Sequence, residues 1–236
     1  MEVEIQNDNT KAIIDPHGAW LTNLSNEYGD IIFPKRNLTG EDGSVKQRGG
    51  SHVCLPNFGP GGTSGQPQHG FGRVMDWELT DKTDSSVLLT LRKGDGEYSD
   101  MESVLAYQLG DDRLMMTLEV VNNGSADLRV APAFHPYFAL TEENEVAIDG
   151  VEEPLEGLSE AQFINGTMHT LDTAGRTLTL TSDELQAWAK WTDRLGKYVC
   201  VEPSQGGFTF LKDTPEAGEI LRPGESKTYS FTISWA

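Results

Sequence analysis

Apolar and polar residues alternate along much of this chain with the two-residue period of a β-strand. In KTYSFTISW (227–235), every second residue from Tyr229 to Trp235 is apolar, and the residues between them carry hydroxyl groups. The segments RLMMTLEVV (113–121) and RTLTLTS (176–182) repeat the pattern. Since successive side chains of a strand point to opposite faces, each segment predicts a strand with one buried face.

Further segments rich in β-branched and aromatic residues alternate with turn-forming ones: KAIID, DIIFP, DWELTD, SSVLLTLRK, LRVAPAF, YVCVEP and GFTFL. DELQAWAKW (183–191) fits a short helix or a strand, and both remain open. No period of 20 to 50 residues recurs. Many short strands with few or no helices predict an all-β sandwich or barrel, and 236 residues suit a single domain over 1–236.

Charge and composition exclude several classes of protein. The net charge is −19, from 37 acidic and 18 basic residues scattered along the chain, which disfavours binding to nucleic acid or to an anionic membrane. No apolar run approaches the ~20 residues of a membrane span, and the N-terminal segment does not resemble a secretory signal. We therefore expect a cytoplasmic protein. Cys54 and Cys200 lie in apolar segments, which favours buried, reduced thiols.

Common catalytic and metal motifs are missing from the sequence. The five histidines form no HxH or HxxxH pair, so no metal is predicted, and a zinc site would need ligands from distant parts of the chain. No GxSxG elbow occurs, and the glycine-rich segment 56–72 lacks the Lys-Ser/Thr ending of a phosphate-binding loop. The aromatic residues and the histidine in that segment predict an ordered loop over a site.

Three short segments carry residue types suited to acid–base chemistry. QHGFGR (68–73) combines an amide, an imidazole and a guanidinium with two glycines, and AFHPYF (133–138) sets His135 among aromatic residues. VCVEPS (199–204) places Glu202 directly before a proline, so we expect Glu202 where a strand leaves its sheet. Each residue alone also fits a structural role, in the core or in a surface ion pair. Their occurrence together in three loop-forming segments favours a functional site.

These segments also carry a family resemblance, together with DPHGAWLTNL (15–24), RGGSHVCLPNFGP (48–60), NNGSADLRVAPAFHPYF (122–138) and LRPGES (221–226). The sequence resembles the aldose 1-epimerase (galactose mutarotase-like) superfamily, closest to its hexose-6-phosphate mutarotase, or glucose-6-phosphate 1-epimerase, branch. The resemblance covers essentially the whole chain. It implies a large antiparallel β-sandwich, the supersandwich of that superfamily, and an isomerase that interconverts sugar anomers without a cofactor.

The resemblance also implies roles for individual residues. Glu202 would be the base that takes the anomeric hydroxyl proton, and His135 the acid at the ring oxygen. The implied substrate-binding residues, which would hold the sugar hydroxyls or a phosphate, are Arg48, Gln68, His69, Arg73 and Asp172. HPYF is typical of enzymes acting on free sugars, whereas QHGF and VCVEP resemble the sugar-phosphate branch. The implied ligand is therefore an aldohexose or its 6-phosphate.

Two other functions remain open at this point. The same fold could bind a carbohydrate without turning it over, or could act as a structural or interaction domain. A structure in which His135 and Glu202 lie far apart would favour the last of these.

Overall fold

Two large antiparallel sheets form most of the computed structural model, which describes residues 1–141, 146–173, 175–211 and 218–235. The first sheet has ten strands: β1 (Val3–Asn7), β2 (Thr10–Asp15), β3 (Trp20–Asn26), β4 (Gly29–Ile32), β7 (Val53–Cys54), β13 (Ala133–Phe134), β14 (Tyr137–Ala139), β17 (Gln162–Asn165), β20 (Ala187–Trp191) and β21 (Tyr198–Ser204). Their order is β1-β2-β3-β4-β14-β21-β13-β7, and β20 pairs with both β21 and β17.

The second sheet has nine strands: β8 (Glu78–Lys82), β9 (Ser86–Leu91), β10 (Met101–Leu109), β11 (Arg113–Asn122), β15 (Val146–Ile148), β16 (Val151–Glu152), β18 (Met168–Thr173), β19 (Arg176–Thr181) and β23 (Ser226–Trp235). Their order is β16-β15-β18-β19-β23-β11-β10-β9-β8. Two small ribbons complete the strands: β5 (Arg36–Thr39) with β6 (Val45–Arg48), and β12 (Leu128–Val130) with β22 (Glu219–Leu221).

Helical structure in the described residues is limited to five short 3₁₀ turns: Gly62–Ser64, Gly72–Val74, Gly96–Tyr98, Leu155–Leu158 and Thr209–Leu211. The all-β prediction is thus confirmed. The ambiguous segment 183–191 contains strand β20 rather than a helix. No helix among the described residues is long and apolar enough to cross a membrane.

The main core lies between the two large sheets, and the alternating segments form its walls as predicted. β11 and β23 pair so that Met116 faces Phe231 and both are buried. Phe134 and Trp188 of the first sheet pack on Phe231 of the second, at ring-centroid distances of 5.7 and 5.8 Å. The period-2 pattern therefore assigns both the strands and their buried face.

The opposite face of the first sheet carries a different set of side chains. Along β21, Val199 and Val201 belong to the main core, whereas Cys200 and Glu202 point the other way. Both cysteines are buried and unpaired, as expected from their apolar surroundings. This outward face, rather than the space between the sheets, holds the polar residues singled out in the sequence.

Candidate active site

A break in one strand brings His135 opposite Glu202. The two short strands β13 and β14 are separated by His135 and Pro136, and both pair with β21 in one continuous register. That register places His135 directly across from Glu202. The His135 Nε2 atom lies 3.4 Å from Glu202 Oε2, and both side chains are almost fully buried.

Glu202 does not lie where its strand leaves the sheet, so that prediction is wrong. Strand β21 continues through Pro203 to Ser204, and Ala189 of β20 pairs with Glu202. The prolines Pro136 and Pro203 both lack an N–H donor, and they interrupt the ladder beside β21 instead of ending β21 itself. The interruption leaves the carboxylate and the imidazole facing each other across the gap.

A cavity of about 390 Å³ opens above this pair. Its lining includes six of the seven predicted site residues: Arg48, Gln68, His69, Arg73, His135 and Glu202. The predicted loop over the site contributes two of these, Gln68 and His69, together with Phe58 and Pro60. A pocket of this size, with several converging polar groups, suits a small polar molecule.

The His135 ring is held between two other rings. His52 stacks on one face at a centroid distance of 4.9 Å, and Tyr137 stacks on the other at 4.8 Å. His52 directly precedes β7 and lies across from His135, whose backbone N–H donates to the His52 carbonyl at 2.9 Å. The Trp20 ring lies against His52 at a centroid distance of 4.2 Å. The His135 Nδ1 atom has no hydrogen-bond partner among the described residues. Stacking, rather than a hydrogen bond at Nδ1, therefore orients this imidazole.

Burial shifts the two facing groups in opposite directions. It raises the pKa of Glu202 well above its usual value. Burial also lowers the pKa of His135 well below 6.5, and the nearby His69 and Arg73 lower it further. Both shifts favour the uncharged form of the pair, in which the titrating proton is on the carboxyl group. Glu202 Oε2 lies close to the imidazole without an aligned hydrogen bond, so this oxygen remains available to a ligand in the cavity.

His69 lines the cavity beside Gln68. Its Nδ1 accepts the backbone N–H of Gly59 at 3.3 Å and lies 3.4 Å from the Cys54 thiol. Burial, with a smaller effect of Arg73, lowers the pKa of His69 to about 3. His69 is therefore neutral near pH 7, and its Nε2 lies 3.3 Å from the side-chain nitrogen of Gln68.

The two arginines of the cavity differ in how their charges are matched. Arg48 donates from Nε and Nη2 to one oxygen of Asp193, at 2.8 and 2.7 Å, and lies 5.6 Å from the centre of the Trp191 ring. Arg73 donates to the Gln68 carbonyl at 2.9 Å, and among the described residues no carboxylate lies within ion-pair distance of it. The Arg73 charge is therefore the one left unpaired by neighbouring protein groups in this part of the structure.

Asp172, the seventh predicted residue, is not brought to the cavity. It lies on β18 of the other sheet, and its carboxylate accepts a hydrogen bond from the Thr177 hydroxyl at 2.5 Å. In addition to Glu202, the described cavity lining contains one other acidic residue, Glu160, which follows the turn Leu155–Leu158. Nothing in the local sequence around Glu160 distinguishes it from other surface acids. Trp191 also lines the cavity, in the segment whose secondary structure the sequence left open.

Comparison with solved structures identifies the architecture as galactose mutarotase-like. A galactose mutarotase-like protein from Lactobacillus casei has a TM-score of 0.85 at 18% identity, with 100% of each chain covered. A galactose mutarotase related enzyme from Lactobacillus acidophilus has a TM-score of 0.81 at 17% identity, covering 100% of this chain and 97% of that one. At these identities the likeness establishes the fold.

The aldose 1-epimerase family model matches residues 1–165, and the chain belongs to that family. The matched range includes His135 and ends before Glu202. A curated relative in Salmonella typhimurium, named "Putative glucose-6-phosphate 1-epimerase", is 28% identical over 130 residues, or 52% of this chain and 42% of the relative. Its Escherichia coli counterpart of the same name is 25% identical over 157 residues, or 63% and 52%. The matches thus span about half the length of these relatives.

Proposed function

We propose that this protein is an aldose 1-epimerase that interconverts the α and β anomers of an aldohexose or a hexose 6-phosphate. The observation that carries the proposal is the facing pair His135 and Glu202, 3.4 Å apart at the base of a polar cavity. Ring opening needs one group to remove a proton and another to supply one, at two oxygens bonded to the same carbon. Two adjacent groups that share one proton meet this requirement.

In the proposed reaction, the Glu202 carboxylate takes the proton from the anomeric hydroxyl while His135 gives a proton to the ring oxygen. The bond between the anomeric carbon and the ring oxygen breaks, and the sugar becomes an open-chain aldehyde. Rotation about the adjacent carbon–carbon bond and reclosure by the reverse proton transfers give the other anomer. The pair ends with the same total number of protons, so no cofactor is consumed.

The reactive form of the pair has the proton on His135 and a charged Glu202. This form contains as many protons as the uncharged pair favoured by burial, so it arises by transfer within the site. A sugar hydroxyl that donates to the carboxylate stabilises its charged form. Substrate binding therefore shifts the pair toward the form that reacts.

Substrate binding is assigned to the other polar residues of the lining. Gln68 and His69 offer hydrogen-bonding side chains to sugar hydroxyls, and Arg48 is held in place by Asp193. Arg73 has a charge that no described carboxylate neutralises, and a planar guanidinium matches phosphate oxygens well. These features support a hexose 6-phosphate as a substrate alongside the free sugar.

Polarimetry of freshly dissolved α-glucose or α-glucose 6-phosphate tests the proposal. We expect wild type to speed the approach to anomeric equilibrium, and Glu202→Gln to reduce that acceleration about 100-fold or more, the usual effect of losing a general acid or base. Glu152→Gln, the same change at an exposed position of β16, is the control and should retain the wild-type rate. Calorimetric binding of the sugar with no acceleration by wild type would instead identify a non-catalytic carbohydrate-binding domain.

A further inference from the structure

Three metal-ligating groups meet at the floor of the cavity. A ring nitrogen of His135, the sulfur of Cys200 and a carboxylate oxygen of Glu202 all lie within 4.8 Å of one another. Cys200 and Glu202 are two residues apart on β21, so their side chains share a face. We propose that this cluster binds Zn²⁺ and that the bound ion inhibits the enzyme. The inhibitory part rests on the proposed function, whereas the binding part does not.

The distances suit one ion after a small adjustment. Two atoms bound to a tetrahedral Zn²⁺ at about 2.0–2.3 Å lie about 3.3–3.8 Å apart. The His135 and Glu202 atoms are already 3.4 Å apart. Because all three ligand atoms lie within 4.8 Å, a shift of the thiol by about 1 Å completes the set. Nitrogen, sulfur and one carboxylate oxygen are the donors that Zn²⁺ prefers, whereas Mg²⁺ and Ca²⁺ favour oxygen alone.

The three groups are also free to act as ligands. Cys200, His135 and Glu202 are buried, at 0%, 4% and 2% exposure, so water does not compete strongly for them. Glu202 Oε2 has no hydrogen-bond partner among the described residues. A thiolate and a carboxylate together supply two negative charges, which balance a divalent cation in this buried position. Binding releases the thiol proton, and the carboxyl proton where it is present, to the solvent.

The ion would engage both residues of the catalytic pair. His135 and Glu202 line the cavity that the sugar would occupy, whereas Cys200 does not. An imidazole nitrogen bound to Zn²⁺ does not accept a proton, and a ligating carboxylate is a poor base. Zinc and sugar therefore compete for the same site. The sequence did not reveal this cluster because His135 comes from a part of the chain distant from Cys200 and Glu202, which share β21.

Titration of the protein with Co²⁺, a spectroscopic substitute for Zn²⁺, tests the binding directly. We expect a thiolate-to-cobalt charge-transfer band in wild type, which Zn²⁺ abolishes by displacement. Cys200→Ala should lose the band and weaken Zn²⁺ binding in calorimetry at least about tenfold, the lower range seen for weakened metal sites. The matched control is Cys54→Ala, since Cys54 is the other buried free thiol.

Cys54 is a stringent control because its sulfur lies 3.4 Å from His69 Nδ1 and 3.9 Å from His52 Nε2, a rival set of ligands. A band retained in Cys54→Ala and lost in Cys200→Ala supports the proposed site. A band that follows Cys54, or no band in wild type, overturns it. Glu202→Gln keeps both thiols and should also weaken metal binding. Weaker binding in this variant shows that the effect comes from loss of a ligand, even if Cys200→Ala is partly unfolded.

The inhibitory part has its own readout. Zn²⁺ should slow the anomeric exchange catalysed by wild type, a chelator should restore it, and added sugar should reduce the apparent affinity for Zn²⁺. Relative to its own rate without added metal, Cys200→Ala should require at least about tenfold more Zn²⁺ for the same fractional inhibition. Metal binding without any effect on the exchange rate would overturn the proposed inhibition but not the proposed binding site. A protein inactive toward every sugar but still binding Co²⁺ would overturn only the epimerase function.

Discussion

Replacing Glu202 with glutamine should stabilise the folded protein at neutral pH. The Glu202 side chain is 2% exposed, and its Oε2 has no hydrogen-bond partner among the described residues. Burial raises the pKa of this carboxyl group in the folded state above its unfolded value of 4.5. The folded protein therefore keeps a proton that the unfolded chain releases once the pH exceeds 4.5. Stability is lost as the pH rises from there, by up to about 1.4 kcal/mol per pH unit.

Glutamine has nearly the same shape and cannot ionise, so it removes this pH-dependent loss. Between pH 4.5 and 7, a slope of up to about 1.4 kcal/mol per pH unit limits the gain of Glu202→Gln to at most about 3 kcal/mol at pH 7. For a chain of 236 residues this corresponds to a rise in Tm of at most about 12 °C. The gain should shrink toward zero as the pH falls to 4.5, where the carboxyl group is protonated in both states.

Thermal unfolding of the two proteins at several pH values between 4.5 and 7.5 measures this difference. Burial lowers the pKa of His135 in the folded state, so this residue makes the folded protein less stable as the pH falls. Because His135 is present in both proteins, its effect largely cancels in the difference between them. The exposed substitution Glu152→Gln should change stability by less than about 0.5 kcal/mol at every pH. A Glu202→Gln protein that is less stable than wild type at pH 7, or equally shifted at all pH values, would refute the reasoning.

Three further predictions follow from the geometry of the cavity. Arg73→Ala should raise KM for glucose 6-phosphate about tenfold or more and affect glucose much less, because a charge-assisted hydrogen bond contributes about 1.5–3 kcal/mol; equal effects on both sugars would contradict a phosphate contact. His52→Ala should lower kcat about tenfold, because a ring at this position orients His135 by stacking. His52→Phe should retain most of the wild-type kcat, and equal losses of kcat in the two variants would exclude that role. The exchange rate should fall in acid only well below pH 6.5, because burial lowers the pKa at which the His135–Glu202 pair takes up a second titrating proton. An exchange rate that halves near pH 6.5 would instead indicate an imidazole of ordinary pKa.

The sequence predicted the strands and their buried faces because that information is local. In β11 and β23 every second residue is buried, and the period-2 pattern states this directly. The candidate pair and four further lining residues also came from short motifs. These motifs lie on neighbouring strands or on the loop that covers them, so recognition of the motifs was enough to collect them.

What the sequence could not predict depended on which strands become neighbours. Pro203 was expected to end a strand, but β21 continues past it, beside a broken strand that lies 64 or more residues earlier in the chain. Asp172 lies in a segment with a plausible local pattern, yet that segment joins the other sheet. The stacking of His52 on His135 and the approach of Cys200 to the pair arise from cross-strand register, which no local pattern encodes.

Anomeric exchange measured by NMR tests most directly whether His135 and Glu202 act together as the acid and the base. With glucose and glucose 6-phosphate at anomeric equilibrium, magnetisation transfer between the α and β anomeric protons reports the exchange rate without perturbing the sample. We expect wild type to accelerate the exchange of at least one of the two sugars. His135→Asn and Glu202→Gln should each reduce that acceleration about 100-fold or more, and the double variant should lose little beyond either single variant, because the residues work as a unit. Wild-type exchange equal to that in buffer for both sugars, or wild-type rates in both single variants, would contradict the account.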